Sequence, residues 1–227
     1  ANGRRSTYLE RLTLMIEDEI GLQLMDRVIW HPRNKLPAPT FATQTPHTHL
    51  KQSYEFVLWF CNDPAYCHRF ANNQTLLKQY STAQQSLIGQ GGEQRERVNS
   101  DGNYIIKSGA FSNDNGGALP GNVVEIGTTC KRYGREVSRI AKQMGFAPHG
   151  AAFPLNFAKH FISWLAAPGK GLCVDPFGGR LTTAKACEEL GIEYLVSELH
   201  YEYIKPALTQ FIHHKGFLFN PAFNAFK

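Results

Sequence analysis

Gly178, Gly179 and Glu198 are the residues of this chain whose types and spacing are best suited to chemistry. The glycines follow a short apolar run, Leu172-Cys173-Val174, that ends in Asp175-Pro176. Such a run fits a buried strand. Residues Thr182 to Leu190 combine helix formers with an apolar face, and Gly191 fits a helix C-cap. A second run, Tyr194-Leu195-Val196, leads to Glu198, 23 positions after Asp175. Strand, glycine turn, helix, strand and carboxylate make half of a doubly wound sheet, with a ligand crevice at the strand ends. Glycines let a ligand approach the backbone. A carboxylate at the second strand end accepts hydrogen bonds from both hydroxyls of a ribose, so the layout favours an adenosyl ligand. The turn, Phe177-Gly178-Gly179-Arg180-Leu181-Thr182-Thr183, lacks the GxGxxG pyrophosphate fingerprint, which disfavours a dinucleotide oxidoreductase. Alternatively, the glycines serve only tight packing.

A second group is compatible with a polyanion. Trp30, Arg33, Asn34 and Lys35 stand in a proline-rich stretch, an aromatic ring, an amide and cations that can stack a base and hold a phosphate, or else belong to a surface loop whose charges are incidental. Arg132, Arg135, Arg139 and Lys142 recur at helical spacing and form one cationic face, either a phosphate track or a solvated surface. His47 and His49 form a His-x-His pair without a cysteine or carboxylate cluster at suitable spacing, so no metal site is expected. The five cysteines form no CxxC pair and read as reduced thiols in a cytoplasmic protein.

Several elements must hold these groups. Residues 6–20 carry Leu9, Leu12, Ile16 and Ile20 at helical spacing, a core-facing helix. Strands are expected over 25–30, 53–60 and 122–126, a helix after Lys131, and another from Pro154, a first-turn proline. Residues 62–121 are rich in Asn, Gln, Ser and Gly and poor in large apolar side chains, which predicts a polar insertion or mobile segment without a core, either a region that recognises a target or a loop with no role. The division expected is 1–61, 62–121 and 122–227. A chain of 227 residues, 42% hydrophobic, supports one α/β domain. A net charge of +5 suits a polyanion partner. No apolar run reaches membrane-spanning length.

The motifs, taken together and in order, resemble those of the amino-directed DNA methyltransferases. Asp175-Pro176-Phe177-Gly178-Gly179-Arg180-Leu181-Thr182-Thr183 is similar to that family's DPFxGxGTT motif, which binds S-adenosylmethionine; Leu181 replaces its second glycine. Ser197-Glu198-Leu199-His200-Tyr201 is similar to the segment whose acid holds the ribose. Ile29-Trp30-His31-Pro32-Arg33-Asn34 and Ser53-Tyr54-Glu55-Phe56 are similar to the strands beside the flipped-base pocket. Asn122-Val123-Val124-Glu125-Ile126 has a counterpart too, and His149 to Pro154 resembles the segment that closes over the methionine end of the cofactor.

The resemblance implies a Rossmann-like α/β fold, a mixed sheet with one antiparallel strand. It implies methyl transfer from S-adenosylmethionine to N6 of adenine or N4 of cytosine in double-stranded DNA, in a restriction-modification setting. Phe153, Pro154, Asp175, Phe177, Gly178, Gly179, Thr182 and Glu198 would bind the cofactor. Trp30, Arg33, Asn34, Lys35, Arg132, Arg135 and Arg139 would meet DNA. In this circularly shifted order the catalytic Asp/Asn/Ser-Pro-Pro-Tyr/Phe tetrapeptide comes first, and residues 1–227 contain none. The chain is then either an N-terminally truncated methyltransferase or a non-catalytic relative that binds cofactor or DNA. The Phe-rich tail after 204 packs back on the sheet or against a second subunit, which would make a homodimer.

Overall fold

A computed structural model describes residues 5–34, 44, 47–100, 102–129, 132–147, 150 and 152–220. Lys35, Lys131 and His149, named above, lie outside the described residues, as does Cys130, one of the five cysteines.

The chain opens with helix α1, Tyr8–Met15, which widens into a π turn over Ile16–Ile20 and stops at Gly21 in the left-handed region (φ 77°). The expected apolar stripe breaks there. Leu9, Leu12 and Ile16 are half-buried, but the widened turn swings Ile20 outward to 62% exposure. Strand β1, Gln23–Trp30, follows, and β2, Glu55–Cys61, pairs with it antiparallel. Strand β5, Val123–Val124, pairs parallel on the other side of β1. The result is a three-stranded mixed sheet in the order β2-β1-β5.

Residues between β2 and β5 are more regular than their composition predicts. They form helix α2 (Pro64–Phe70), a 3-10 turn (Asn73–Leu76), helix α3 (Thr82–Gly89) and a hairpin of β3 (Arg97–Asn99) with β4 (Tyr104–Ile106). The helices begin on Asp63 and Ser81, whose side chains accept from the first free amides. Among the described residues between 62 and 121, Gly92 and Gly117 are the buried ones. A Cβ on Gly92 would stand 2.5 Å from the Ala110 carbonyl oxygen, and one on Gly117 2.7 Å from that of Lys78. Backbone pressed on backbone replaces apolar side chains there.

The second half carries α4 (Tyr133–Gln143), α5 (Leu155–Leu165), β6 (Leu172–Asp175), α6 (Thr182–Leu190), β7 (Glu193–Val196) and α7 (Tyr201–Leu208). β6 and β7 pair in parallel, Asp175 opposite Val196, as a separate two-stranded sheet. The α/β class with a mixed sheet therefore holds, but the sheet is in pieces among the described residues. Helix α5 ties them together: Phe157 packs on Trp30 of β1 (ring centroids 4.4 Å), Trp164 on Trp59 of β2, and Lys159 pairs with Glu189 of α6.

The core under the glycine turn consists of Tyr133, Val137, Leu181, Ala184, Ile204, Ala207 and Phe211. The tail packs back on it, with Phe217 stacked on Phe211 at 5.4 Å. Leu181 caps α6 in the left-handed region (φ 58°, ψ 36°) and is only 6% exposed. That backbone costs a non-glycine residue roughly 1–2 kcal/mol. Burying a leucine side chain stabilises by about 1.5–3 kcal/mol and offsets it. Leu181→Gly relieves the strain and forfeits the packing, about 2–5 kcal/mol for loss of a buried leucine, so a net destabilisation of roughly 1–3 kcal/mol is expected. Urea unfolding of the two proteins measures it; a more stable variant would show that strain dominates.

Candidate cofactor and nucleic-acid site

At the carboxyl ends of β6 and β7 the sequence brings two acids and the glycine turn together. Asp175 organises the turn from within: one carboxylate oxygen accepts from the Phe177 amide at 2.9 Å, the other from the Thr183 hydroxyl at 2.6 Å. The turn then drops onto β7. The Gly178 amide donates to the Ser197 carbonyl at 2.8 Å, and a Cβ on Gly178 would stand 2.1 Å from Val196 Cγ1. Gly178 is therefore required by packing, the alternative raised from sequence. Gly179 adopts φ 51°, a conformation that favours glycine.

Glu198 closes the arrangement. Its Oε2 accepts from the Gly179 amide at 2.8 Å and its Oε1 from the His200 amide at 2.9 Å. Partial burial opposes the carboxylate charge, but the amides of His200, Gly179 and Leu199 and the charge of His200 together hold the group below the usual glutamate range. Its two oxygens offer four acceptor positions, and the amides leave part of that capacity open. The hydroxyls of a ribose donate to such an acceptor, which fits an adenosyl group. Phe177 extends exposed beside the same strand end. Thr182, at the start of α6, is buried, and its hydroxyl has no hydrogen-bond partner among the described residues. Phe153 and Pro154 sit at the start of α5, where Phe153 packs on Phe157 at 5.5 Å.

The residues chosen for DNA divide. Trp30 is 8% exposed, its ring tilted against that of Phe157, and its indole donates to the Ile126 carbonyl at 2.7 Å. A base-stacking surface at Trp30 is thus replaced by a core residue: β1 runs inward to its last position, and the exposed loop starts only after it. Arg33 pairs with Glu125 at 2.5 Å, and the Asn34 amide bridges Thr128 and Thr129. Both hold the loop after β5 in place. Arg132, Arg135 and Arg139 are exposed on or beside α4, which ends at Gln143. Arg139 also pairs with Glu136. With Lys185 they line an open groove of about 700 Å³. The Tyr133 hydroxyl donates to the Arg180 carbonyl at 2.6 Å, which fastens this cationic helix to the glycine turn. Sequence reasoning had not singled out Tyr133; its position at the start of the basic helix was the available signal.

The cysteines require a correction. Cys61 and Cys67 are disulfide-bonded, with Cα atoms 6.8 Å apart, so not all thiols are reduced. Asp63 caps α2 and turns the chain back, which brings Cys67 to the end of β2. Cys173 and Cys187 remain free. Among the described residues no group of three His, Cys, Asp or Glu could hold a metal ion, and no helix is long and apolar enough to cross a membrane.

Comparison with known proteins matches residues 2–210 to the N6/N4 DNA methylase family, and the chain belongs to that family. It is 29% identical over 209 residues to the type II methyltransferase M.PvuII of Proteus hauseri, covering 92% of this chain and 60% of that protein. The solved structure of the PvuII DNA methyltransferase (cytosine-N4-specific) superposes with a TM-score of 0.65 at 22% identity, over 93% of this chain and 60% of that one. The chain thus spans about 60% of the length of the relative it matches.

Because the folded-state pKa of Glu198 is depressed, its contribution to stability is present above the ordinary glutamate value of about 4.3 and is lost as pH falls through the lower folded value. Melting temperatures taken from pH 6 down to about 3 should therefore fall less steeply for Glu198→Gln than for the parent. Identical slopes would mean that the carboxylate does not hold the turn.

Proposed function

We propose that residues 1–227 form the cofactor-binding and DNA-contacting part of a methyltransferase that moves a methyl group from S-adenosylmethionine to an exocyclic amine in double-stranded DNA. The observation that carries this is the Glu198 carboxylate, oriented by backbone amides at the strand end beside the glycine turn. S-adenosylmethionine supplies an electrophilic methyl group on a sulfonium. Glu198 would hold the ribose, Phe177, Gly178, Gly179 and Thr182 would border the adenosyl moiety, and Phe153 and Pro154 the methionine end. The protein's part is positioning, which by itself can contribute about 7–11 kcal/mol to a barrier. Likeness to a cytosine-N4-specific enzyme favours N4 of cytosine over N6 of adenine. The cytoplasm, where DNA is accessible, suits this role.

A second reading has one observation behind it: residues 1–227 contain no Pro-Pro tetrapeptide. On that reading the chain binds cofactor or DNA without turnover. Calorimetry with S-adenosylmethionine and methylation of duplex DNA separate the two. Binding with turnover supports the enzyme, and binding alone supports the module.

Glu198→Ala should weaken S-adenosylmethionine binding by roughly 1.5–3 kcal/mol, the range for hydrogen bonds to a charged group. Unchanged affinity would remove the ribose role. For DNA, neutralising Arg132 and Arg135 together should weaken binding to all sequences alike and lower the slope of log K against log salt by about 1.8. A loss confined to one sequence would indicate base reading instead.

A further inference from the structure

Residues 135, 138, 139 and 142 fall at the i, i+3, i+4 and i+7 positions of one face of α4 or its end. Along that face lies a second groove, about 460 Å³, lined by Gly134, Arg135, Ser138, Arg139, Lys142 and Arg180. It shares Arg135 and Arg139 with the groove described above, but neither of that groove's acids, Glu136 and Glu189. Arg139 is already engaged, by Glu136 at Nε and Nη2 and by Gln143 at Nη1. Arg180 is not. Its Nε–H is buried and has no hydrogen-bond partner among the described residues. Its Nη1 makes one long contact, 3.5 Å, with the Gly134 carbonyl. A guanidinium keeps its charge inside a protein, and a buried donor without an acceptor is unfavourable. Arg180 therefore stands in a cationic groove with donors to spare, and no carboxylate lines that groove among the described residues.

We propose that this groove is a phosphate site, with Arg180, Arg135 and Lys142 as its cations, and that the phosphate belongs to the backbone of duplex DNA. The inference rests on the DNA-contacting reading above and deepens it, because nothing there gives Arg180 a ligand. An arginine fork matches the oxygens of a phosphate. That chemistry alone suits a free phosphate ion equally well. The extent of the charge favours a polymer. Cations run from Arg132 to Lys142, ten positions apart, or about 15 Å of helix at 1.5 Å per residue. One ion meets a single point of such a row, whereas a strand of phosphates follows it. Arg180 also fixes where that strand lies. It directly follows Gly179, whose amide holds the Glu198 carboxylate, and its own carbonyl receives the Tyr133 hydroxyl of α4. The DNA backbone is thereby held on the α4 side of the glycine turn.

Fluorescence anisotropy of a labelled DNA duplex, measured against potassium chloride, tests this. Arg180→Gln should lower the slope of log K against log salt by about 0.9, so that a rise from about 50 to 200 mM weakens binding about three- to fourfold less than in the parent. Arg180→Lys, which keeps the charge, should restore the slope. Lys142→Gln, on the exposed face, carries the same expectation and serves if Arg180→Gln does not fold. An unchanged slope in folded Arg180→Gln, or in Lys142→Gln where the first variant does not fold, overturns the proposal. The Arg180 Nε–H resonance, assigned by its loss in Arg180→Lys, gives a second readout by NMR. Duplex DNA should shift it. A shift with inorganic phosphate and none with the duplex overturns the proposal in favour of a small-anion site. If neutralising Arg132 and Arg135 lowers the slope and Arg180→Gln does not, this inference fails and the DNA-contacting reading stands. If Arg180→Gln lowers the slope but S-adenosylmethionine does not bind, the inference stands and the methyl-transfer reading fails. Absence of duplex binding removes both.

Discussion

The close seating of one glycine turn on one strand governs the rest of this structure. Gly178 lies so near Val196 that the turn has a single height above β7, and Glu198 holds it there through the Gly179 amide. Three neighbours answer to that height. Leu181 reaches the core beneath, α6 starts at Thr182, and α4 hangs from the turn through the Tyr133 hydroxyl. The same contacts that fix the backbone also aim a carboxylate. Under the proposed function, folding and ligand recognition would draw on one set of hydrogen bonds.

Leu181 shows how such a turn tolerates an unsuitable residue. A left-handed backbone ordinarily asks for glycine, yet the side chain here packs in a cluster with six other buried residues. Packing offsets a local conformational cost of the same order. The turn thus keeps a left-handed backbone at a position where a side chain is present.

Much of this was legible in the sequence, and for identifiable reasons. The run 182–190 with Gly191 after it gave a helix with its boundaries because propensity, apolar face and cap agreed. Strands β6 and β7 were visible as short apolar runs, and Glu198 as the acid that ends the second. Trp30 was misplaced because a tryptophan beside a Pro-rich loop looks the same in sequence whether its ring faces solvent or a helix; only Phe157, 127 residues away, decides. The disulfide was missed because a six-residue separation is bridged only once Asp63 has turned the chain. The break in α1 was hidden too, since an apolar stripe does not reveal a π turn. Long-range partners, in each case, carried what local pattern did not.

The polar stretch between β2 and β5 has an evolutionary corollary. Its fold is set by Gly92 and Gly117 and by helix caps, while nearly every side chain from 62 to 121 is at least partly exposed. A scaffold whose determinants are missing side chains leaves the remaining ones at liberty to vary. Descendants of this chain can exchange residues along the β3–β4 hairpin, one after another, without passing through unfolded intermediates. Divergence of whatever that hairpin touches is then limited by selection on its surface and hardly at all by stability.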